Sequence, residues 1–407
     1  MILRPSLKSF LRPRSQDSKL ARMTKDTKHR RTKIVQAGIG KDKGHKAVIP
    51  PIYLSSTYEM DELGKKADYE YSRTRNPTRD DLSNALTELE GGVGGCVTSS
   101  GMAALTLIVQ LLNPDDLLIA PYDCYGRSYR MLCALSEKGH FKLEFIDQYD
   151  PKTVEQAFKK NPKMVLIESP SNPLMRIADI ETIAKHAKTC GAITVCDNTF
   201  LSPMLQQPLK LGADIVYHST TKFLNGHSDI VGGCVVTSDE GILEDLEFWA
   251  NSLGLIGAPF DAFMTLRGLR TLELRVSRAQ ENAEKVAAFL DEHSAVSAIY
   301  YPGLTDHSGH DIAKKQQEGF GAMLSFEIKA DTAQLSSFID GLEIFRLAQS
   351  LGGTESLINH PASMTHVSMG EEARLKAGVT DQLFRLSIGV EHIDDLISDL
   401  KQALGKL

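Results

Sequence analysis

The chain has 407 residues, 42% hydrophobic and 24% charged, which is typical of a folded globular protein of two or three domains. No apolar stretch approaches the roughly 20 residues that a membrane-spanning helix needs, so we expect no membrane association and a cytoplasmic location. The six cysteines show no Cys-x-x-Cys spacing. This favours free, buried thiols in a reducing compartment over disulfides or a metal site.

The charge is unevenly distributed along the chain. The net charge is −6, but residues 1–33 hold 11 Lys and Arg and two acids, which leaves −15 for the rest. A basic, acid-poor segment is typical of a transit peptide, a nucleic-acid contact or a disordered extension. We favour a disordered extension, or translated sequence before a start at Met23, because Pro5, Pro13 and the scattered charges give no amphipathic face. No nucleic-acid partner is expected.

Residues 34–80 are rich in turn signals, among them Pro50-Pro51 and Asn76-Pro77. We predict an extended arm that wraps around something else. Residues 81–280 alternate short apolar strands with helices, which predicts a mostly parallel sheet covered on both faces. The predicted strands are 96–99, 117–120, 164–168, 192–196 and 214–218, and the predicted helices are 79–90, about 101–112, 124–138, 152–160 and 179–190.

A long helix is predicted over 272–293, and strands follow at 322–328 and 384–388. The predicted division is an extension (1–33), an arm (34–80), a cofactor-binding α/β domain (81–280) and a smaller α+β domain (281–407). In a parallel sheet, ligands collect beyond the carboxyl ends of the strands.

Lys222 and Asp197 both fall at that edge of the predicted sheet. A lysine after a strand is ordinarily a solvated surface residue, and an aspartate at a strand end is often a helix cap. Together they match what pyridoxal phosphate (PLP) requires, which is a Schiff-base lysine and a carboxylate for the pyridine nitrogen. Ser99-Ser100-Gly101-Met102 joins a strand to a helix, where free N–H groups favour phosphate. Ser219 and Thr221 are spaced to place both hydroxyls on one side of an extended segment.

Three further residues are candidates for ligand contacts. Tyr125 follows the strand at 117–120 and could stack on a flat ring, or be an ordinary half-buried aromatic. Asn172 stands between two prolines, where its amide could reach a phenolate or a carboxylate, or simply form a turn. Arg385 lies in an apolar strand and needs an anionic partner, either a substrate α-carboxylate or an internal acid.

Residues 34–407 resemble the PLP-dependent enzymes of cysteine and methionine metabolism. Ordered motifs carry the resemblance, and the cystathionine γ-synthases are the nearest members, on Asp123-Cys124-Tyr125-Gly126 and Trp249-Ala250-Asn251. The other motifs are Pro50-Pro51-Ile52-Tyr53, Tyr71-Ser72-Arg73-x-x-Asn76-Pro77-Thr78-Arg79, Ser100-Gly101-Met102-Ala103, Glu168-Ser169-Pro170-Ser171-Asn172-Pro173, Val195-Cys196-Asp197-Asn198-Thr199-Phe200, Ser219-x-Thr221-Lys222-Phe223-Leu224-Asn225-Gly226-His227-Ser228 and Ser350-Leu351-Gly352-Gly353.

The resemblance implies an aspartate aminotransferase-like, fold type I large domain with a seven-stranded sheet, a smaller C-terminal domain and a homotetramer of two tight dimers. It implies that Lys222 forms the Schiff base, Asp197 pairs with the pyridinium and Tyr125 stacks on the ring. The implied phosphate ligands are Gly101, Met102, Ser219 and Thr221, with Tyr71 and Arg73 reaching a neighbouring subunit's phosphate. Ser350 and Arg385 would hold the substrate α-carboxylate, with Asn172 nearby.

The implied reaction is γ-replacement, in which L-cysteine and an O-acylated L-homoserine give L-cystathionine and a carboxylic acid in methionine biosynthesis. Two positions depart from the family pattern. Thr74 stands where close relatives often carry a second arginine for a succinyl group, although Arg130 is retained, so succinyl is favoured and acetyl stays open. Gln349 stands where glutamate is usual, and a neutral amide binds an amino group less strongly than a carboxylate does.

Alternative functions stay open at this point. Cleavage of cystathionine, or direct sulfhydrylation of the acylhomoserine by sulfide, would use the same residues. A phosphate-binding scaffold would not need both Lys222 and Asp197. A dinucleotide oxidoreductase would need its glycine motif after the first strand, whereas Gly91 to Gly95 precedes the strand.

Overall fold

The computed structural model describes residues 28–65 and 67–407. The predicted extension lies outside the described residues as far as residue 27. Helix α1 (Arg30–Val35) crosses the boundary placed at residue 33. Arg30 anchors it, because its Nη1 donates to the carbonyls of Pro203 and Met204 at 2.9 and 2.8 Å and its Nη2 lies 2.6 Å from Glu318 Oε1.

The segment from 36 to 76 contains turns and a bridge between Thr57 and Tyr71, with no helix or strand in its described part. It exposes large apolar side chains, which on a folded protein is typical of an interaction surface. These include Val48, Leu54 and Leu63, exposed by 65%, 72% and 103%. Its wrapping role stays a prediction.

A seven-stranded sheet has the order β1-β7-β6-β5-β4-β2-β3. Its strands are β1 (Gly94–Thr98), β2 (Leu117–Pro121), β3 (Lys142–Ile146), β4 (Met164–Glu168), β5 (Ile193–Asp197), β6 (Ile215–His218) and β7 (Gly233–Thr237). Strand β7 runs antiparallel to both β1 and β6, and the other pairings are parallel. All strands except β7 therefore end at the same edge.

Helices cover both faces of this sheet. The helices of this part of the chain are α2 (Pro77–Glu90), α3 (Gly101–Ile108), α4 (Gly126–Glu137), α5 (Pro151–Phe158), α6 (Ile180–Cys190), α7 (Ser202–Leu205), α8 (Glu240–Leu253), α9 (Pro259–Leu269) and α10 (Leu272–Asp291). One apolar cluster joins α3, α4 and α8 to the sheet, and another joins α5 and α6 to its other face. Local signals set the helix ends: Asn76 Oδ1 accepts from the N–H groups of Thr78 and Arg79, and Gly91 ends α2 at φ +80°.

A five-stranded sheet follows, in the order β10-β11-β12-β9-β8. Its strands are β8 (Val296–Tyr300), β9 (Met323–Ile328), β10 (Arg346–Leu347), β11 (Leu357–Asn359) and β12 (Leu383–Ser387), and its helices are α11 (His310–Gln316), α12 (Thr332–Asp340), α13 (Glu371–Lys376) and α14 (Ile393–Leu404). A third apolar cluster spans α10, α14 and β9 and continues to α2 and α9, so the two sheets share a core.

The predicted fold class is confirmed: the sheet of seven strands is mostly parallel and covered by helices. The predicted strands lie within about two residues of β1, β2, β4, β5, β6, β9 and β12. No bounds were predicted from the sequence for β3, β7, β8, β10 and β11, or for helices α1, α7, α8, α9 and α11 to α14. The domain boundaries at 80 and 280 stay a prediction.

The cysteines are free thiols, with Cys133 and Cys190 only partly buried. No helix in the described part of the chain is both long and apolar enough to cross a membrane.

Candidate active site

The carboxyl ends of five parallel strands bring the predicted residues to one edge of the large sheet. Strand β1 leads into the Ser100-Gly101 turn, β2 into the loop before Tyr125, β4 ends at Glu168, β5 at Asp197, and β6 leads into the Lys222 loop. Glu168 and Asp197 are register partners on β4 and β5. The second sheet adds Arg385 from β12 and Ser350 from the loop after β10.

Lys222 lies in a turn after β6, and its Nζ donates to Ser350 Oγ at 2.6 Å. No carboxylate forms an ion pair with Lys222 among the described residues. Burial, and secondly the nearby Arg385 guanidinium, lower the pKa of the Lys222 amine to about 8. A lysine acts as a nucleophile only as the neutral amine, and the lowered pKa makes that form available near physiological pH.

Ser350 has a φ of +88°, a conformation that non-glycine residues rarely adopt. Such a backbone costs on the order of 1–3 kcal/mol and is typical of functional sites. Next to it, Gly352 (φ +77°) packs so closely that a Cβ there would lie 2.7 Å from the Phe223 backbone nitrogen. The Ser350 loop is therefore pressed against the backbone that carries Lys222.

Arg275 on α10 holds the Lys222 loop from the other side. Its guanidinium is buried, and it donates to the carbonyls of Phe223 and Gly268 at 2.8 and 2.9 Å. Gly226 (φ +73°) leaves the space for it, since a Cβ there would lie 1.8 Å from Arg275 Nη1. Burial lowers the pKa of Arg275 to about 10.

Asp197 ends β5, where its Oδ1 accepts from the Thr199 N–H at 2.9 Å. Burial raises the pKa of Asp197 above its ordinary range, while hydrogen bonds from Thr199 and Tyr217 and the nearby His218 act in the opposite direction. A bound cation beside the carboxylate, such as a protonated ring nitrogen, would further favour its charged form.

The predicted phosphate ligands form one corner of the site. Gly101 opens α3, and a Cβ on it would lie 2.8 Å from Ser219 Cβ, so the start of the helix directly contacts the residue after β6. Ser100 Oγ accepts from the Ala103 N–H at 3.0 Å, while the Gly101 and Met102 N–H groups have no acceptor within the first turn of α3. Such a helix start suits a phosphate.

The expectation that Ser219 and Thr221 lie on one extended segment is wrong. The chain turns at residue 220, because Thr221 Oγ1 accepts from the Gly232 N–H at 3.0 Å and Lys222 N–H reaches the Ser219 carbonyl at 3.2 Å. The turn still leaves Ser219 beside Gly101. It also directs Lys222 toward Ser350.

Glu168 connects two candidate ligand contacts. Its Oε2 accepts from the Tyr125 N–H at 2.9 Å, and its Oε1 accepts from the Asn172 N–H at 3.1 Å. The sequence motif includes Glu168, but the sequence reading assigned it no role. The available signal was a carboxylate at the end of the otherwise apolar strand Met-Val-Leu-Ile-Glu.

Arg385 is 2% exposed and has no acidic partner among the described residues. Its Nη1 donates to Asn172 Oδ1 at 2.8 Å, its Nη2 donates to the Ser350 carbonyl at 2.9 Å, and its Nε has no acceptor. Burial lowers the pKa of Arg385 to about 10. An internal acid, one of the two predicted alternatives, is therefore not its partner.

His366 lies near Arg385 and contacts Asn172. Its Nε2 donates to the Asn172 carbonyl at 3.1 Å, and burial, then the Arg385 charge, lower the pKa of His366 to about 4. A neutral imidazole adds no second positive charge beside Arg385.

Two other predicted residues, Gln349 and Arg130, are exposed at the margins. Gln349 directly precedes Ser350, and Arg130 lies on α4, five residues after Tyr125. No ion pair involves Arg130 in the described ranges.

Tyr71 and Arg73 do not join this site within one chain. Arg73 Cζ lies 5.3 Å from the Tyr71 ring centroid, and Arg73 Nε donates to Asn251 Oδ1 on α8 at 3.1 Å. Thr74 Oγ1 lies 3.4 Å from the same Asn251 oxygen. Tyr71 is 46% exposed.

The donor set fits pyridoxal phosphate. It provides a buried amine with a lowered pKa, a carboxylate on the neighbouring strand, and a helix start in contact with a serine. Lys222 would hold the aldehyde carbon, Asp197 the ring nitrogen, and the Gly101–Ser219 corner the phosphate.

The comparisons with known proteins agree with this fit. The family model for Cys/Met metabolism PLP-dependent enzymes matches residues 31–405. A cystathionine gamma-synthase of Escherichia coli (strain K12) is 48% identical over 376 residues, which are 92% of this chain and 97% of that protein. A cystathionine gamma-lyase of Bacillus subtilis (strain 168) is 45% identical over 375 residues, 92% of this chain and 99% of that protein.

A solved structure is also similar. It is a cystathionine gamma synthase from Xanthomonas oryzae pv. oryzae in complex with cystathionine, with a TM-score of 0.92 and 54% identity. The match covers 93% of this chain and 98% of that one.

The lowered pKa of Lys222 predicts how cofactor loading depends on pH. Only the neutral amine attacks an aldehyde, so its population rises with pH, from roughly a tenth at pH 7 to roughly nine tenths at pH 9 for a pKa of about 8. The loading rate of the apoenzyme, followed by its visible absorption, should rise with a midpoint near pH 8. Lys222→Arg should prevent the visible absorption band of the imine between the lysine and PLP. The same reaction of PLP with n-butylamine, a free amine, in the same buffers corrects for titration of PLP itself. A midpoint near the ordinary lysine value of 10.5 would contradict the prediction.

Proposed function

The chain belongs to the Cys/Met metabolism family of PLP-dependent enzymes, and we propose that within this family it catalyses γ-replacement. The substrates are L-cysteine and an O-acyl-L-homoserine, with O-succinyl favoured over O-acetyl. The products are L-cystathionine and the carboxylic acid. The main supporting observation is the position of Ser350. Its Oγ lies 2.6 Å from Lys222 Nζ, and its carbonyl accepts from Arg385, which has no acidic partner among the described residues.

Recognition of the amino acid is assigned to Arg385. A buried guanidinium without an acidic partner is costly unless an anion neutralises it. Its unpaired Nε and its existing bonds to Asn172 and Ser350 suit an α-carboxylate. Because Ser350 contacts both Arg385 and Lys222, a carboxylate bound to Arg385 would place the substrate Cα near the Lys222 amine.

Lys222 is assigned the proton transfers. When bound, PLP supplies the electron sink that makes protons at Cα and Cβ removable. An amine with a pKa of about 8 can take and return a proton near neutral pH. Lys222 would move the Cα proton to the C4′ carbon of bound PLP, which leaves its amine neutral and free to take the Cβ proton. The γ-acyloxy group then departs with its bonding electrons as a carboxylate, the cysteine thiolate adds at Cγ, and the amine returns one proton to Cβ and one to Cα. Tyr125 and Asp197 are assigned to the cofactor ring, and Gly101, Met102, Ser219 and Thr221 to its phosphate.

The synthase reading is supported by the similarity to γ-synthases at 48% and 54% identity. It is also supported by Asn251, which belongs to the synthase-like Trp249-Ala250-Asn251 motif and bonds Arg73 in this structure. A γ-lyase is the second candidate, because a γ-lyase is 45% identical over nearly the same span. A sulfhydrylase is the third candidate, and Gln349 favours it. Sulfide has no amino group, so an enzyme that uses sulfide needs no carboxylate at this position.

Steady-state kinetics with three reactions test the proposal. With the purified holoenzyme and O-succinyl-L-homoserine, kcat/KM for cysteine should exceed kcat/KM for sulfide by at least about tenfold. It should exceed kcat/KM for cleavage of cystathionine alone by the same factor, and a tenfold ratio corresponds to about 1.4 kcal/mol. Lys222→Ala should abolish all three activities. A larger kcat/KM for cystathionine cleavage would establish the lyase instead.

Gln349→Glu refines this test without changing the size of the side chain. A carboxylate binds an ammonium more strongly than an amide does, so KM for cysteine should fall roughly fivefold. Gln156→Glu, on the exposed face of α5, is the matched control.

The acyl group is assigned through Arg130. A succinyl substrate ends in a carboxylate, and Arg130 is an exposed cation on the helix that Tyr125 precedes. Arg130→Met should raise KM for O-succinyl-L-homoserine about tenfold, the effect of one lost charge-assisted bond, and leave KM for O-acetyl-L-homoserine unchanged. Arg278→Met, an exposed arginine on α10, is the control. Equal losses for both substrates would contradict the role.

We also propose that Tyr71 and Arg73 complete the phosphate site of a second copy in a homotetramer. Within one chain these side chains contact each other and Asn251, and the segment that carries them exposes Leu54 and Leu63. An exposed apolar segment of this kind suits an obligate subunit interface.

Mixing two inactive variants tests the shared site. Lys222→Ala and Arg73→Ala each remove one part, and a mixed dimer rebuilds one intact site from Lys222 of one subunit and Arg73 of the other. Random exchange should restore roughly a quarter of wild-type activity, measured after mild dissociation and reassociation. Each variant treated alone is the control. No recovery, with exchange verified by mass, would show that the site lies within one chain.

A further inference from the structure

A series of hydrogen-bonded residues connects Tyr125 to Lys222 across the site. The Tyr125 and Asn172 N–H groups both reach the Glu168 carboxylate, at 2.9 and 3.1 Å. The Asn172 side chain then accepts from Arg385 at 2.8 Å. Arg385 donates to the Ser350 carbonyl at 2.9 Å, and Lys222 donates to the Ser350 hydroxyl at 2.6 Å.

Glu168 is the member of this series that touches neither cofactor nor substrate in the proposed function. It is 6% exposed, and no cation pairs with it in the described part of the chain. A buried carboxylate without a cation is retained only where hydrogen bonds stabilise it. Here the donors are two backbone N–H groups, and one of them, from Tyr125, lies at the N-terminus of the 12-residue helix α4, where negative charge is favoured.

We propose that Glu168 is a positioning residue that fixes Tyr125 and the Asn172–Arg385 pair together, so that cofactor loading and binding of the amino-acid carboxylate are coupled through one side chain. The proposal rests on the assigned roles of Tyr125 and Arg385. Because coupling between two ligands is reciprocal, each ligand then favours binding of the other.

The charges around Glu168 give the coupling a physical basis. Burial, and secondly the neighbouring Asp197 carboxylate, raise the pKa of Glu168 well above its ordinary range. A protonated cofactor nitrogen beside Asp197 offsets that negative charge and favours the ionised form of Glu168, which accepts from both N–H groups. The titratable groups that face Glu168 are Asp123, Cys124, Tyr149, Cys196, Asp197 and Tyr217.

Glu168→Gln tests this with an isosteric change. The glutamine oxygen can accept from one of the two N–H groups, but its NH₂ faces the other, so one loop loses its tether. The Kd of the apoenzyme for PLP, measured through the single tryptophan, Trp249, should rise about tenfold. Glu155→Gln, with its side chain 61% exposed on α5, should leave this Kd unchanged.

A double-mutant cycle separates positioning from general damage. The probe is L-2-aminobutyrate, which has the α-carboxylate but no γ-leaving group, and its Kd is read from the visible band of the holoenzyme. Glu168→Gln should weaken its binding about tenfold in the wild-type background and less than twofold in the Arg385→Lys background, because Glu168 acts through Arg385. If Glu168→Gln does not fold, Glu168→Asp, which can reach only one N–H group, replaces it in the same cycle.

Equal losses in both backgrounds, or an unchanged Kd for PLP, would overturn the inference and leave the proposed function intact. An Arg385→Lys variant that binds L-2-aminobutyrate like the wild type would instead overturn the carboxylate role of Arg385, and with it the inference. The two failures are therefore distinguishable.

Discussion

The buried guanidinium of Arg385 is the constraint on which the rest of the site depends. It is 2% exposed and has no acid beside it in the described residues, so the folded protein bears the desolvation cost of a charge without an internal counter-ion. Its neighbours are organised to lower that cost without neutralising it: Asn172 and Ser350 offer neutral oxygens, and His366 stays uncharged because burial lowers its pKa to about 4. The same charge helps to lower the pKa of Lys222.

Arg385 and Lys222 belong to different sheets, and backbone packing sets the distance between them. Arg385 is in β12 of the small sheet, whereas Lys222 follows β6 of the large one. Gly352 lets the Ser350 loop approach the Phe223 nitrogen, and Gly226 makes room for Arg275, which holds the Lys222 loop from α10. A side chain at either glycine would move the amine relative to the carboxylate site. The site is thus rigid on two sides, as catalytic positioning requires.

The sequence predicted the parts that are local and periodic. Apolar runs of four to five residues defined β2, β4, β5 and β6, and the rule that ligands bind beyond parallel strand ends placed Asp197 and Lys222 together. Contacts between distant segments had no local signal: Ser350 meets Lys222 across 128 positions, and Tyr125 meets Glu168 across 43. Strand β7 was missed because its short run, Gly-Cys-Val-Val-Thr, follows a turn-rich loop, and its antiparallel direction depends on tertiary pairing. Arg275 lies on the apolar stripe of α10 beside Leu272 and Ala279, a signal that was readable but not used.

This division between local and distant signals also explains why the chemistry is easier to infer than the substrate. Most of the residues assigned to the cofactor are partly buried beyond strand ends of the large sheet, where a substitution would disturb the packing of the sheet as well as the reaction. The positions proposed to distinguish one acyl group or nucleophile from another, Arg130 and Gln349, are exposed, and their side chains form no ion pair among the described residues. Exposed positions of this kind can change with little effect on the fold, and a γ-synthase and a γ-lyase are 48% and 45% identical to this chain. Specificity within such a family is therefore expected to depend on a few charges at the margin of a shared site, and an amide in place of a carboxylate at Gln349 is a change of that kind.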